Sequence, residues 1–208
     1  MDEKLIANLR EAYDKRAVWR DGRPYPEWKE KERANFLAHL KRENKRTVLE
    51  IGAGPGRDSL FFQQNGLDVV ATDLSPEMVN LCREKGLKAY VMDFTSLDFS
   101  EPFEAIFALN CLLHVPKSDL PEILQRLHGL LKAGGLFYMG VYGGQDFEGI
   151  YEEDEHEPKR LFSLYTHEQI KEVAGRFFTP VYFRAIRLTS DTDVFQSMIW
   201  RAGYLPTG

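Results

Sequence analysis

The chain has 208 residues, 43% of them hydrophobic, which is enough to bury the core of one compact domain. Its formal net charge of −5 has the wrong sign for a protein that grips a polyphosphate backbone, so no nucleic-acid partner is expected. Two cysteines, Cys82 and Cys111, stand far apart without a CxxC pattern, which argues against a zinc site or a disulfide framework and suits a reducing cytoplasm.

Met1 to Arg10 is charged and lacks the apolar stretch of a signal peptide, and no run approaches the ~20 apolar residues of a membrane span. A cytoplasmic protein without membrane contact is therefore expected. Leu5, Ile6, Leu9, Ala12, Tyr13 and Ala17 recur at helical spacing, as do Trp28, Phe36, Leu37 and Leu40. Asp21-Gly22-Arg23-Pro24-Tyr25-Pro26 between them is turn chemistry. This predicts a helical cap over residues 1–45 of one domain, with the core over 46–208. From Arg46 onward the pattern changes to short apolar strands, each followed by a helix. Thr47 to Ile51, Asp68 to Thr72, Lys88 to Met92, Ala105 to Leu109 and Leu136 to Tyr142 read as buried strands. Ser75-Pro76 starts one helix, and the stripe Leu120, Ile123, Leu124, Leu127, Leu130, Leu131 forms another that ends near Gly134-Gly135. Such alternation implies a parallel sheet covered on both faces. Phe177 to Leu188 and Val194 to Trp200 are strand-like, but Thr189 to Asp193 between them is too short for a parallel crossover. One strand near the C-terminus should run antiparallel, which gives an α/β, doubly wound, Rossmann-like sheet of seven mostly parallel strands.

Three strand ends carry chemistry. Glu50-Ile51-Gly52-Ala53-Gly54-Pro55-Gly56-Arg57 is a strand emptying into a glycine-rich turn, where a ligand can approach the backbone closely. The spacing is GxGxG, and Arg57 stands where a dinucleotide fingerprint needs its third glycine. Asp73, about 20 residues further on, is placed to accept hydrogen bonds from ribose hydroxyls. Asp58 reads as a helix-capping or dipole partner. Met92-Asp93-Phe94 ends the third strand with an acid beside an aromatic ring, suited to hold an adenine amine and cover its face. All three fall on the carboxyl edge of the sheet, where open α/β sheets bind ligands.

With these motifs the chain resembles the class I S-adenosylmethionine-dependent methyltransferases, from roughly Arg46 to the C-terminus. Their first motif looks like Glu50 to Gly56, their ribose-binding acid like Asp73 and their adenine-side acid like Asp93. Phe103 to Asn110 is similar to the family's fourth strand and Leu130 to Leu136 to the approach to its fifth. Gly56-Arg57-Asp58-Ser59-Leu60 looks like the small-molecule, tellurite-resistance and thiopurine type within the class. The resemblance implies S-adenosyl-L-methionine as cofactor, with Glu50, Gly52, Ala53 and Gly54 in its first motif and the Gly52 to Gly54 backbone against the methionine part. It sets Asp73 against the ribose, and Asp93 and Phe94 against the adenine. Leu74, Met78 and Leu109 would add apolar contact, or else pack in the core.

Methyl transfer from a sulfonium is an in-line displacement, so the protein mainly aligns acceptor and methyl and excludes water. If the acceptor arrives protonated, a base is needed as well. His114, after Asn110-Cys111-Leu112-Leu113, is the candidate, set against a role in orienting its loop. Tyr142 is a candidate lining residue for the acceptor, a small molecule the sequence does not identify. Tyr13 and Trp19, with Tyr151, His156, Arg160 and Tyr165, form a candidate lid. Glu152 to Glu155 reads as a solvated run or an attractor of cations, and Arg160 as a point for an acidic substrate. No metal-ligand cluster is evident, so no metal is expected. The rival readings are a nicotinamide-dependent oxidoreductase and a non-catalytic module that binds S-adenosylmethionine.

Overall fold

A computed structural model describes residues 1–188 and 194–203 of the chain. The strand-linking turn read at Thr189 to Asp193 lies outside them. Seven strands form one sheet, mostly parallel with one antiparallel member, and a separate two-stranded ribbon accompanies it. By contacts the chain divides into two compact units, Met1–Leu97 with Tyr151–Arg160, and Asp98–Ile150 with the chain from Leu161 onward.

The first unit opens with three helices, α1 (Glu3–Asp14), α2 (Ala17–Asp21) and α3 (Glu27–Arg42). The carboxylate of Asp2 caps α1 by accepting from Lys4 N, and α1 buries Leu9 and Ala12. The apolar recurrence from Leu5 to Ala17 is thus split between two helices. α3 buries Phe36, Leu37 and Leu40, with the Phe36 ring edge-on to Phe62 at 6.1 Å. Then β1 (Thr47–Ile51), α4 (Arg57–Gln64), β2 (Asp68–Asp73), α5 (Pro76–Glu84) and β3 (Lys88–Val91) alternate as the sequence predicts. β1 pairs parallel to β2 with Thr47 opposite Asp68, and β2 parallel to β3 with Val70 opposite Lys88. Ser75 caps α5 through its hydroxyl, which accepts from Met78 N at 3.1 Å, and Pro76 fills the first turn, where its missing N–H costs nothing. Val79 and Cys82 of α5 pack with Ala53, Ala71, Leu87 and Ala89. Those small residues let the helix lie close on the strands.

The second unit holds β4 (Phe103–Leu109), a 3-10 turn (Leu112–His114), α6 (Leu120–Gly129), β5 (Leu131–Gly143), β6 (Phe147–Ile150), β7 (Leu161–Leu164), α7 (His167–Gly175), β8 (Phe178–Arg187) and β9 (Val194–Ala202). α6 stops at Gly129, so Leu130 and Leu131, which fit its apolar stripe, fall outside it. Leu131 already pairs with Phe103, and the register then jumps to Ala105 opposite Leu136. This is a bulge that takes up Gly134, whose φ is 72°. β9 pairs antiparallel with both β5 and β8, so it is the antiparallel strand the short C-terminal connection predicts. The antiparallel ribbon β6–β7, with Phe147 opposite Leu164, stands in a segment the sequence presents only as a long loop. Among the described residues the strand order is β3-β2-β1 in the first unit and β4-β5-β9-β8 in the second.

Candidate functional site

The chemistry starts where β1 ends. Gly52, Gly54 and Gly56 have φ of 62°, 54° and 81°, in the left-handed region that side chains disfavour. A Cβ placed on Gly54 meets no heavy atom within 4 Å, so this part of the turn offers bare backbone to open space. Gly56 serves the fold instead, because a Cβ there comes within 2.6 Å of Leu87 Cδ1 and 2.8 Å of Cys82 Sγ.

Asp73, the last residue of β2, is buried and fastens the glycine turn. Its Oδ2 accepts Gly54 N–H at 2.7 Å and its Oδ1 accepts Ser75 N–H at 2.9 Å. A carboxylate offers about four lone-pair positions, so two remain for other donors. Burial pushes its carboxyl above the ordinary value, against the two backbone N–H groups that favour its charge. Added hydroxyl donors would relieve that cost, which is how this site fits the ribose of a nucleoside cofactor. Leu74 beside it is half-buried, whereas Met78 is fully buried in α5.

Glu50 is 2% exposed, and its Oε2 accepts the Ser59 hydroxyl of α4. Burial and the nearby Asp58 charge hold its carboxyl well above the usual range. It thereby ties β1 to α4 beneath the turn. Asp93 lies two residues past the end of β3, next to a half-buried Phe94. Its Oδ1 accepts Thr95 N–H and Thr95 Oγ1–H, both at 2.6 Å, and Ser96 N–H at 3.0 Å. Burial would raise its carboxyl, but these hydrogen bonds outweigh it and keep Asp93 ionised below the ordinary value. Gly52, Ala53, Gly54, Asp73, Asp93 and Phe94 all belong to the first unit.

The remaining candidates belong to the second unit. Leu109 ends β4, and Asn110 follows with φ 57° and its N–H on Gly140 O at 2.8 Å. His114 is 2% exposed, with Nδ1 2.8 Å from the Leu161 carbonyl and the Phe162 ring edge-on at 4.9 Å. A carbonyl only accepts, so Nδ1 carries the proton, and the contact fixes the orientation of the ring. Tyr142 is half-buried near the end of β5, edge-on to Phe195 at 5.7 Å.

Several anchors escape a reading of the sequence. Arg57 donates to the carbonyls of Arg20 and Asp21, so the side chain at the third-glycine position ties α2 to the glycine turn. Asp58 accepts Tyr25 O–H at 2.6 Å and Arg33 at 3.3 Å, and the Ser75 hydroxyl donates to Asp14. The only hint of these ties is an arginine where glycine is usual. Asp154 is buried rather than solvated, and Arg160 is held by Asp154 and Tyr13 instead of standing open for a substrate. Among the described residues no His/Cys/Asp/Glu group is placed to hold a metal ion, and no helix is long and apolar enough to cross a membrane.

Residues 48–135 match the model of a methyltransferase domain family. The chain is 28% identical, over 71% of its length and 70% of the relative's, to a ubiquinone biosynthesis O-methyltransferase of Xylella fastidiosa. It is 32% identical to a trans-aconitate 2-methyltransferase of Mycobacterium sp., over 54% of this chain and 44% of that one. A solved structure of Burkholderia thailandensis 1,6-didemethyltoxoflavin-N1-methyltransferase, with S-adenosylhomocysteine bound, superposes with a TM-score of 0.78 at 26% identity, covering 98% of this chain and 91% of the other. The fold is the Rossmann-like α/β fold shared with S-adenosylmethionine-dependent methyltransferases. The chain is an S-adenosylmethionine-dependent methyltransferase, and S-adenosyl-L-methionine is its cofactor.

Proposed function

We propose that the methyl acceptor is a small molecule and that transfer is an in-line displacement. S-adenosylmethionine supplies an activated methyl on a sulfonium, and the chain's own residues bind, orient and exclude water. The observation that carries this reading is the clasp in which Asp73 holds Gly54 N–H and Ser75 N–H while keeping lone pairs for a ribose. Gly52, Ala53 and Gly54 lie against the methionine part, and Asp93 and Phe94 take the adenine. Glu50 supports the turn from beneath, Leu74 and Leu109 add apolar surface, and the buried Met78 backs them from the core. Tyr142, near the end of β5, lines the acceptor, and His114 orients its own loop, the role its bond to Leu161 O suits. Residues 1–45 act as a helical cap on a 46–208 core, fastened through Arg57, Asp58 and Ser75.

Relatives named for ubiquinone biosynthesis, trans-aconitate and 1,6-didemethyltoxoflavin support a small acceptor over a macromolecule. The match to Gly56-Arg57-Asp58-Ser59-Leu60 suggests the tellurite-resistance and thiopurine type. The negative net charge argues against a nucleic-acid partner, and the buried thiols of Cys82 and Cys111 suit the cytoplasm. A nicotinamide cofactor is disfavoured by the arginine at position 57, whose guanidinium is taken by two carbonyls. The test is incubation with S-adenosylmethionine labelled in the methyl group and a small-metabolite extract. Label should appear in a low-mass product only when the chain is present. Label confined to protein or nucleic acid would contradict the reading.

A further inference from the structure

The loop that joins β6 to β7, Tyr151 to Arg160, belongs to the first unit and carries a group the cofactor site does not use. At its centre Asp154 accepts Arg160 Nε–H and a second guanidinium N–H, each at 2.8 Å, and Arg160 N–H at 3.0 Å. Arg160 in turn donates to Tyr13 Oη at 2.9 Å. Into this frame is set His156, 5% exposed, with Nδ1 3.1 Å from Asp154 Oδ1 and its ring edge-on to Tyr13 at 5.6 Å. Arg160 keeps Asp154 ionised, so the carboxylate accepts and the proton of the imidazole lies on Nδ1. Nε2 then bears a lone pair, and this buried atom has no hydrogen-bond partner among the described residues. Native interiors rarely leave such an acceptor unpaired unless a ligand or water completes it. The neighbouring residue on α1, Asp14, takes the hydroxyl of Ser75, two residues beyond Asp73. His156 is therefore joined through Tyr13 and Asp14 to the strand tip that serves the ribose.

Resting on the reading of the chain as a small-molecule methyltransferase, we propose that His156 is its proton acceptor: Nε2 binds an O–H or N–H on the methyl acceptor, with Asp154 and Arg160 as positioning residues. As the acceptor's heteroatom forms its bond to the methyl carbon, the sulfur–methyl bond breaks and its electron pair stays on sulfur. The O–H or N–H pair stays with the heteroatom and the proton passes to Nε2. Imidazolium so formed faces Asp154 on its own loop, Tyr13 on α1, and the cations Arg160 and Arg16. Burial first, and the Arg160 charge next, hold the ring down to about 4 against the pull of Asp154. So weak a base is neutral at pH 7 but does not strip an ammonium group. It suits an acceptor whose O–H or N–H is attached to a π system and becomes strongly acidic as the methyl arrives.

Two measurements test this. In ring-15N histidine spectra of the complex with S-adenosylhomocysteine, with the His156 signals assigned by His156→Gln, Nδ1 should be protonated and Nε2 bare at pH 7. A proton on Nε2, or on both nitrogens, overturns the proposal. In the second, labelled S-adenosylmethionine is offered with catechol, 4-nitrophenol and lumazine. His156→Gln should lose on the order of 100-fold or more in turnover of whichever compound the wild type methylates, with calorimetric affinity for S-adenosylhomocysteine unchanged, and imidazole should restore part of the rate to His156→Ala. Equal turnover with the cofactor product bound sinks the proton-acceptor role alone, and a wild type that binds it yet methylates none of the three sinks the acceptor class. A wild type that does not bind S-adenosylhomocysteine removes the methyltransferase reading, and the proposal with it.

Discussion

In the proposed site Asp73 does two things, fixing the glycine turn through Gly54 and leaving lone pairs for a ligand. Asp73→Ala removes both, so titration calorimetry should show S-adenosylmethionine binding weakened by at least ~1 kcal/mol. Unchanged affinity would show that the ribose lies elsewhere. His156 makes a separate prediction for pH. Its folded value, about 4, is below the ordinary 6.5, so the unfolded chain binds the extra proton between those values. The stability it contributes is fully present above about 6.5 and is lost as pH falls toward about 4. Asp73 has the opposite sign: its raised value favours folding at low pH and is lost as pH rises through it. Melting temperatures of wild type and His156→Gln should therefore diverge at neutral pH and converge on acidification. Parallel curves across that window would show that the imidazole is not held neutral.

At the scale of elements, the turn from β1 into α4 is where backbone and packing are most tightly coupled. Gly56 combines a φ of 81° with a Cβ position already occupied by Leu87 and Cys82 side chains. Gly56→Ala should cost about 2–4 kcal/mol, from left-handed strain and overpacking together, read as a lowered denaturation midpoint. Gly54→Ala has the same kind of backbone strain but open space around the new methyl, so its larger effect should be on cofactor affinity. A Gly56→Ala protein as stable as wild type would mean that α5 lies further from the turn than described. The N-terminal helices are held to this same turn by polar ties from Arg57 and Asp58.

Across the whole molecule, what could be read in the sequence divides by how local its signal is. The strand-helix alternation from Thr47 to Val91 is legible because each strand is short and apolar and each helix opens on its own cap or glycine. The antiparallel β9 is legible from a connection too short to cross over. β5 begins earlier than its apolar run because Lys132 to Gly135 look like a turn, and it takes a bulge to keep them in the strand. β6 and β7 are only four residues each and half exposed, so no buried alternation marks them. The same holds for the site. Gly52, Asp73 and Asp93 announce themselves by position at strand ends, whereas Asp154 looks like part of a solvated run, and His156 and Arg160 like lid residues, until folding sets His156 and Arg160 against Tyr13. A pairing over 147 residues of chain leaves no trace in local pattern. In the proposed site the tips of β1, β2 and β3 clasp one cofactor. A crystal structure of the chain with S-adenosylhomocysteine tests it most directly. The ribose hydroxyls should lie on Asp73, with the amino acid part over Gly52 to Gly54 and the adenine beside Asp93 and Phe94. An adenosyl group bound away from those residues would contradict it.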